Sequence, residues 1–142
     1  MGGEVLAVTG SEEETRRLGA SLAERLTPDG VLLLCGDLGA GKTVLTQGLA
    51  EALGIPRAHV QSPTYTLMRE HATEDGTRLV HVDLYRLEPA EALEIGLEEL
   101  LAGPGVKVVE WADRLPFAVE GALRLELRRV AGGREVREVE TG

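Results

Sequence analysis

Eight consecutive residues, Gly36-Asp37-Leu38-Gly39-Ala40-Gly41-Lys42-Thr43, constrain this chain more than any other stretch. They fit the pattern G-x-x-x-x-G-K-[ST] of a phosphate-binding P-loop. In such a loop several backbone N–H groups converge on phosphate oxygens, and bulky side chains would block the approach. Gly36, Gly39 and Gly41 permit the backbone conformations required, and Ala40 adds little bulk. A helix that starts at the loop points its positive end at the anion. Lys42 is expected to reach the β- and γ-phosphates, and the Thr43 hydroxyl to bind Mg²⁺.

The pattern carries weight only between a strand and a helix. Val31-Leu32-Leu33-Leu34-Cys35 is a short continuous apolar run, as expected for a strand buried on both faces. From Val44 to Leu53, apolar residues at 44, 45, 49, 52 and 53 draw a helical stripe. Gly54 then caps the helix, and Ile55-Pro56 prevents its continuation. Lysine is scarce in the chain, Lys42 and Lys107 being the only two, so the Gly-Lys-Thr ending is not a product of lysine-rich composition.

Length and charge narrow the possibilities. A chain of 142 residues suits one domain, spanning 1–142, with a modest single core. Its formal net charge of −9 makes it a poor candidate for gripping nucleic acid unaided. Cys35 is the only cysteine, which excludes an intrachain disulfide; at the end of an apolar strand it is expected as a small buried thiol. His59, His71 and His81 have no metal-binding spacing with that cysteine, so no zinc site is expected. With no signal-peptide pattern and no apolar run long enough to span a bilayer, a cytoplasmic protein without membrane contact is expected.

Taken in order, Glu4 to Val8 is expected as a strand. Ser11 and Glu14 form a capping box for a helix buried through Leu18, Leu22 and Leu26. Pro28-Asp29-Gly30 turns the chain into the loop strand. After the loop helix, Ser62-Pro63 marks a loop entry. Thr66 to His71 and Thr77 to Asp83 flank Glu74-Asp75-Gly76 as a hairpin. Glu88 to Leu101 has a helical pattern that ends at Gly103-Pro104-Gly105, with Glu91, Glu94, Glu98 and Glu99 on a solvated face. Val106 to Trp111 is a further strand, and Leu123 to Val130 with Glu135 to Glu140 a second hairpin around Gly132-Gly133. Two strands thus end in acids, Asp83 and Glu110. In open α/β folds ligands bind beyond the carboxyl ends of the strands, so both acids and the loop can face one crevice. Asp83 in Leu79-Val80-His81-Val82-Asp83 has the place of a Walker B acid.

Four segments occur together in order: Gly-Asp-Leu-Gly-Ala-Gly-Lys-Thr (36–43), Ser-Pro-Thr-Tyr-Thr-Leu (62–67), His-x-Asp-Leu-Tyr-Arg-Leu (81–87) and Val-Glu-Trp (109–111). In these the chain resembles the TsaE family, also called YjeE, small bacterial ATPases needed to make threonylcarbamoyladenosine on tRNA. The likeness runs from about Ser11 through the last hairpin. It implies an α/β fold of the P-loop NTPase type, three-layered, with a mainly parallel central sheet and antiparallel hairpin additions. It implies ATP and Mg²⁺ as cofactors. Gly36, Leu38, Gly39, Ala40, Gly41, Lys42, Thr43 and Val44 would bind the nucleotide, with Thr43 and Glu110 on the metal directly or through water. Asp83 would polarise the attacking water and, with Lys42, serve catalysis. Thr64 would belong to a switch segment sensing the γ-phosphate or a partner, and Trp111 would lie beside the crevice. Glu12 and Arg134 are candidates for closing the adenine pocket. The resemblance also implies action on a TsaB–TsaD-like complex, hydrolysis resetting it between turnovers, with tRNA contacted only indirectly.

Other readings compete. A GTP-dependent switch is disfavoured because no Asn-Lys-x-Asp or Thr-Lys-x-Asp motif is present. A small-molecule kinase would need an acceptor site and a basic lid, and no lid run follows the loop helix. A nucleotide-binding assembly factor without turnover stays open. So do bland roles for single residues: Asp83 as a turn cap, Glu110 as a solvated strand-end acid, Trp111 as core, and Glu12 or Arg134 as surface charges.

Overall fold

The unbroken apolar run becomes the centre of the structure, a computed structural model that describes residues 4–36, 41–60, 68–73, 76–85, 87–88, 90–91 and 96–139. The strands are β1 (Glu4–Thr9), β2 (Val31–Gly36), β3 (Met68–Ala72), β4 (Arg78–Asp83), β5 (Val106–Glu110), β6 (Leu123–Val130) and β7 (Gly133–Val139). The helices are α1 (Glu12–Ser21), α2 (Ala23–Leu26), α3 (Lys42–Ala52) and α4 (Leu97–Ala102). A mixed seven-stranded sheet has the order β1-β7-β6-β2-β5-β4-β3. Its middle, β6-β2-β5-β4, is parallel. Its edges are antiparallel, through β1 on β7, β7 on β6 and β3 on β4. Parallel and antiparallel pairings are therefore equal in number, and the expected parallel majority holds only at the centre.

Strand alternation sorts the side chains into two cores. Leu32 and Leu34 of β2 pack with Leu45 and Leu49 of α3, with Leu22 just before α2 and with Leu26 at its end. Val31, Leu33 and Cys35 point the other way, onto Leu97 and Leu101. Residues on both faces of β2 are buried, which is why this strand shows no polar alternation. Burial also pushes the Cys35 thiol up, in keeping with an inert packing role. Among the described residues no helix is long and apolar enough to cross a membrane.

Several local expectations shift. The capping box forms with a displaced partner: Ser11 Oγ accepts from the Glu14 amide at 3.1 Å, and the Glu14 carboxylate accepts from the Gly10 amide at 2.8 Å. The single helix expected through Leu26 is split, with α1 ending at Ser21 and α2 starting at Ala23. The helix expected over 88–101 is interrupted before Leu97, because Gly96 has φ 73° and ψ 28°, outside the right-handed helical region. Leu93, Glu94 and the Glu74-Asp75 turn lie outside the described residues.

The α1–α3 contact sets where the glycine loop ends. The two helices meet backbone to backbone: a Cβ on Gly48 would lie 1.9 Å from Arg16 O, and one on Gly19 would lie 2.0 Å from Leu45 O. Nothing larger than glycine fits while the helices keep this spacing. Arg16 Nε also donates to Gln47 Oε1 at 3.3 Å across the same interface. Because α3 begins with Lys42, its seat on α1 fixes the position of the loop's last residues. Gly48→Ala is therefore expected to destabilise the fold by about 3 kcal/mol through overpacking. Urea unfolding measures this, and a midpoint unchanged from the parent would contradict the close approach.

Candidate functional site

Three parallel strands end side by side. Register pairs Leu34 with Glu110 across β2 and β5, and Asp83 with Glu110 across β5 and β4. The start of α3 faces these ends. Gly41, its N-cap, has φ 102° and ψ 14°. Gly36, at the end of β2, has φ 132°, and a Cβ there would lie 1.9 Å from Leu127 O. Both positions therefore require glycine, one for its backbone angle and one for close passage beside β6.

Alternation explains which side chains converge. Leu79 shares a core with α3, so His81 and Asp83, two and four residues on, are on the same sheet face. Val106 and Val108 likewise place Glu110 there. Glu110 is only 3% exposed. Thr43 Oγ1, on the first turn of α3, lies 3.2 Å from both of its carboxylate oxygens. His81, fully buried, places Nε2 2.5 Å from Glu110 Oε2. Lys42 is 4% exposed; its Nζ donates to Gly36 O at 2.8 Å and lies 4.2 Å from the centroid of the Trp111 ring. Tyr85 meets the same indole, with ring centroids 4.8 Å apart.

Trp111 adopts φ 60° and ψ 43°. A bulky residue in the left-handed region stores roughly 1–3 kcal/mol of strain, and such outliers gather at functional sites. Here the conformation turns the chain sharply after β5 and presents the indole to Lys42. Asp83 is half-buried, and its Oδ1 accepts from the Tyr85 amide at 2.9 Å. It thus caps the turn after β4 while neighbouring Glu110 in register. Leu84 N donates to Glu110 O at 3.1 Å, which extends the β4–β5 pairing one step beyond both acids.

The remaining candidates fall into two groups. Arg134 is half-buried beside the loop: its Cγ lies 4.0 Å from where a Gly41 Cβ would be, and Thr15 Cγ2 lies 3.7 Å from that point. Val44 is on the first turn of α3, partly exposed. Glu12 is exposed and pairs with Arg16 of its own helix at 3.6 Å, so it is not drawn toward Gly41 by any described contact. Leu38, Gly39, Ala40, the Ser62-Pro63-Thr64-Tyr65 segment and Arg86 lie outside the described residues. His81 is the participant that motif reading passed over. Its place two residues before Asp83, on the same face, was the available signal.

Chemically, the cluster offers a lysine ammonium, a hydroxyl and a carboxylate around the start of a helix. A hydroxyl and a carboxylate oxygen are donors that a hard divalent cation accepts, and an ammonium with helix N–H groups suits an anion. The class defined here is a mixed α/β protein with a glycine loop leading into such a cluster at its strand ends.

A family model described as threonylcarbamoyl adenosine biosynthesis protein TsaE matches residues 9–138. The tRNA threonylcarbamoyladenosine biosynthesis protein TsaE of Bacillus subtilis is 42% identical over 136 residues, covering 92% of this chain and 80% of that one. The protein of the same name from Streptomyces coelicolor is 43% identical over 130 residues, covering 87% and 86%. The one from Nostoc is 49% identical over 110 residues, covering 75% and 67%. The crystal structure of YdiB from Bacillus subtilis superposes with a TM-score of 0.73 at 35% identity, covering 99% of this chain and 88% of that one. The chain belongs to the TsaE family.

The chain contains a single tryptophan, so its emission reports on the Lys42–Trp111 contact. Lys42→Met removes the cation while keeping the length of the side chain. Its fluorescence spectrum is expected to differ from that of the parent, with far-UV circular dichroism unchanged. Superimposable emission from the two folded proteins would contradict the contact.

Proposed function

We propose that the chain is a Mg²⁺-dependent ATPase of the P-loop NTPase type that supports formation of threonylcarbamoyladenosine on tRNA by acting on a TsaB–TsaD-like complex. The observation that carries this is the meeting of Lys42, Thr43 and Glu110 at the start of α3, in a chain of the TsaE family.

In this reading the loop amides and the N-terminus of α3 receive the phosphates. Lys42 exchanges Gly36 O for phosphate oxygens, a short move for a flexible side chain already at the loop. Thr43 and Glu110 hold Mg²⁺, the carboxylate directly or through water. Bound there, the ion would neutralise charge on the β- and γ-phosphate oxygens. Asp83, one strand over from Glu110, polarises the attacking water. Trp111 and Tyr85 form an aromatic wall beside Lys42 that keeps water from the lysine. Arg134, beside Gly41, borders the nucleotide's base, and Thr64 answers to the γ-phosphate or to the partner. Glu12 is retained only as a distant rim of that base pocket.

No arginine in the chain is marked by motif as the finger that stabilises charge on the transferring phosphoryl group. Hydrolysis is accordingly slow in the isolated chain and accelerates when the partner completes the site, by ~10³–10⁵ where groups are supplied in trans in related NTPases. A phosphate-release assay on the chain alone, and with a TsaB–TsaD pair, tests this. Turnover that rises on adding the pair, and is lost in Lys42→Ala, is expected. Equal rates with and without the pair would overturn the partner role. A phosphorylated metabolite in place of free phosphate would favour a kinase.

A separate expectation concerns the carboxylate. Glu110→Ala should raise the Mg²⁺ concentration needed for half-maximal turnover by about 10-fold or more, while binding of ATP in EDTA changes little. Coincident Mg²⁺ titrations of parent and variant would count against Glu110 as a metal-side residue.

A further inference from the structure

Glu110 has a buried neighbour that the proposed mechanism does not use. His81 is fully inaccessible, and its Nε2 lies 2.5 Å from Glu110 Oε2, both residues belonging to the strand-end cluster. An ionised carboxylate can only accept hydrogen bonds, so Nε2 carries the proton and donates it. The other ring nitrogen, Nδ1, is buried with no hydrogen-bond partner among the described residues. A histidine serving the core alone would be a poor choice here. Leucine or valine occupies the neighbouring buried positions of β4 and leaves no orphaned nitrogen.

The contact runs between strands. His81 is paired with Val108 in the β4–β5 register, and its ring reaches forward along the sheet to the residue two positions on. Thr43 Oγ1 stands 3.2 Å from both Glu110 oxygens from the α3 side. The carboxylate is therefore gripped from two directions. The threonine hydroxyl is one that a divalent ion would claim for itself; the imidazole is not. Once the hydroxyl turned to a cation, His81 would be the described side chain still holding Glu110 in place.

We propose that His81 is a positioning residue for Glu110: its Nε2–H anchors Oε2 and so leaves the carboxylate aimed at the start of α3, ready for a divalent cation. The inference rests on the reading of Glu110 as a metal-side group. Outer partners that orient a ligating carboxylate typically govern metal affinity by 10–100-fold. Their removal acts on the metal and spares the nucleotide's other contacts.

The test uses three variants of the full chain. His81→Gln places an amide donor where Nε2 was; His81→Asn is polar but too short to reach; His81→Leu fills the space without a donor. Binding of ATP is measured by calorimetry in EDTA and across a Mg²⁺ titration, with thermal unfolding and circular dichroism to confirm folding. His81→Asn and His81→Leu are expected to need at least about 10-fold more Mg²⁺ for half-effect, with affinity in EDTA within about twofold of the parent. His81→Gln should recover most of the loss. Should His81→Leu fail to fold, the contrast between the Gln and Asn variants decides the matter. Mg²⁺ midpoints that are the same in folded Gln and Asn variants would overturn the positioning role. A parent chain whose ATP binding ignores Mg²⁺ would instead overturn the metal-side reading of Glu110 on which the inference stands.

Discussion

A carboxylate removed from water at the end of the central strand pair sets the terms for the rest of the site. Leaving Glu110 buried and unpartnered would cost several kcal/mol. The fold answers with Thr43 from α3 and His81 from β4. Each contact ties a different element to β5. The helix start is brought onto the strand end by Thr43, and β4 is locked to β5 at the level of Asp83 by His81. Lys42, the residue before Thr43, then falls between Gly36 O and the Trp111 ring. The cluster thus satisfies one buried carboxylate, and in the proposed function a ligand takes over the Thr43 contact.

Around the cluster the scaffold is tightly packed. β2 carries apolar side chains to both faces, so a shift of the strand would disturb two cores at once. The backbone contact between α1 and α3 through Gly19 and Gly48 leaves no slack behind the loop helix. At the far end of β5, Lys107 is fully buried and donates to the carbonyls of Asp29 and Gly103, pinning the loops remote from the site. Gly105 N donates to Asp29 Oδ1 at 2.8 Å in the same knot. Trp111, with its left-handed backbone, packs instead against the core that holds Leu33 and Cys35 of β2.

Much of this was legible in the residues, and the parts that were not have identifiable causes. The strand, loop and helix around 31–53 are local signals that tertiary context reinforces, so β2 and α3 fell close to where periodicity put them. The strand-end acids were visible because a carboxylate interrupting an apolar run is conspicuous. The helix expected over 88–101 failed at Gly96, where a left-handed conformation outweighed the leucine spacing. The long first helix split near Leu22 although its stripe was correct, since burial of Leu22 and Leu26 does not require one continuous axis. His81 was passed over for a different reason. Alternation puts it on the face of Asp83, but which side chain of the next strand it meets is not known until the β4–β5 register is. Glu12 gave a weaker signal: it is an exposed acid of α1 that pairs with Arg16 of its own helix.

The central claim is that Thr43 and Glu110 part to admit a magnesium–triphosphate. A crystal structure of the chain with Mg²⁺ and a non-hydrolysable ATP analogue examines it most directly. The account predicts the metal at about 2.1 Å from Thr43 Oγ1, with Glu110 reaching it directly or through one water, Lys42 on the phosphates and His81 still on Oε2. A triphosphate bound elsewhere, or one seated on the loop while the Thr43–Glu110 contact persists without a metal, would contradict it.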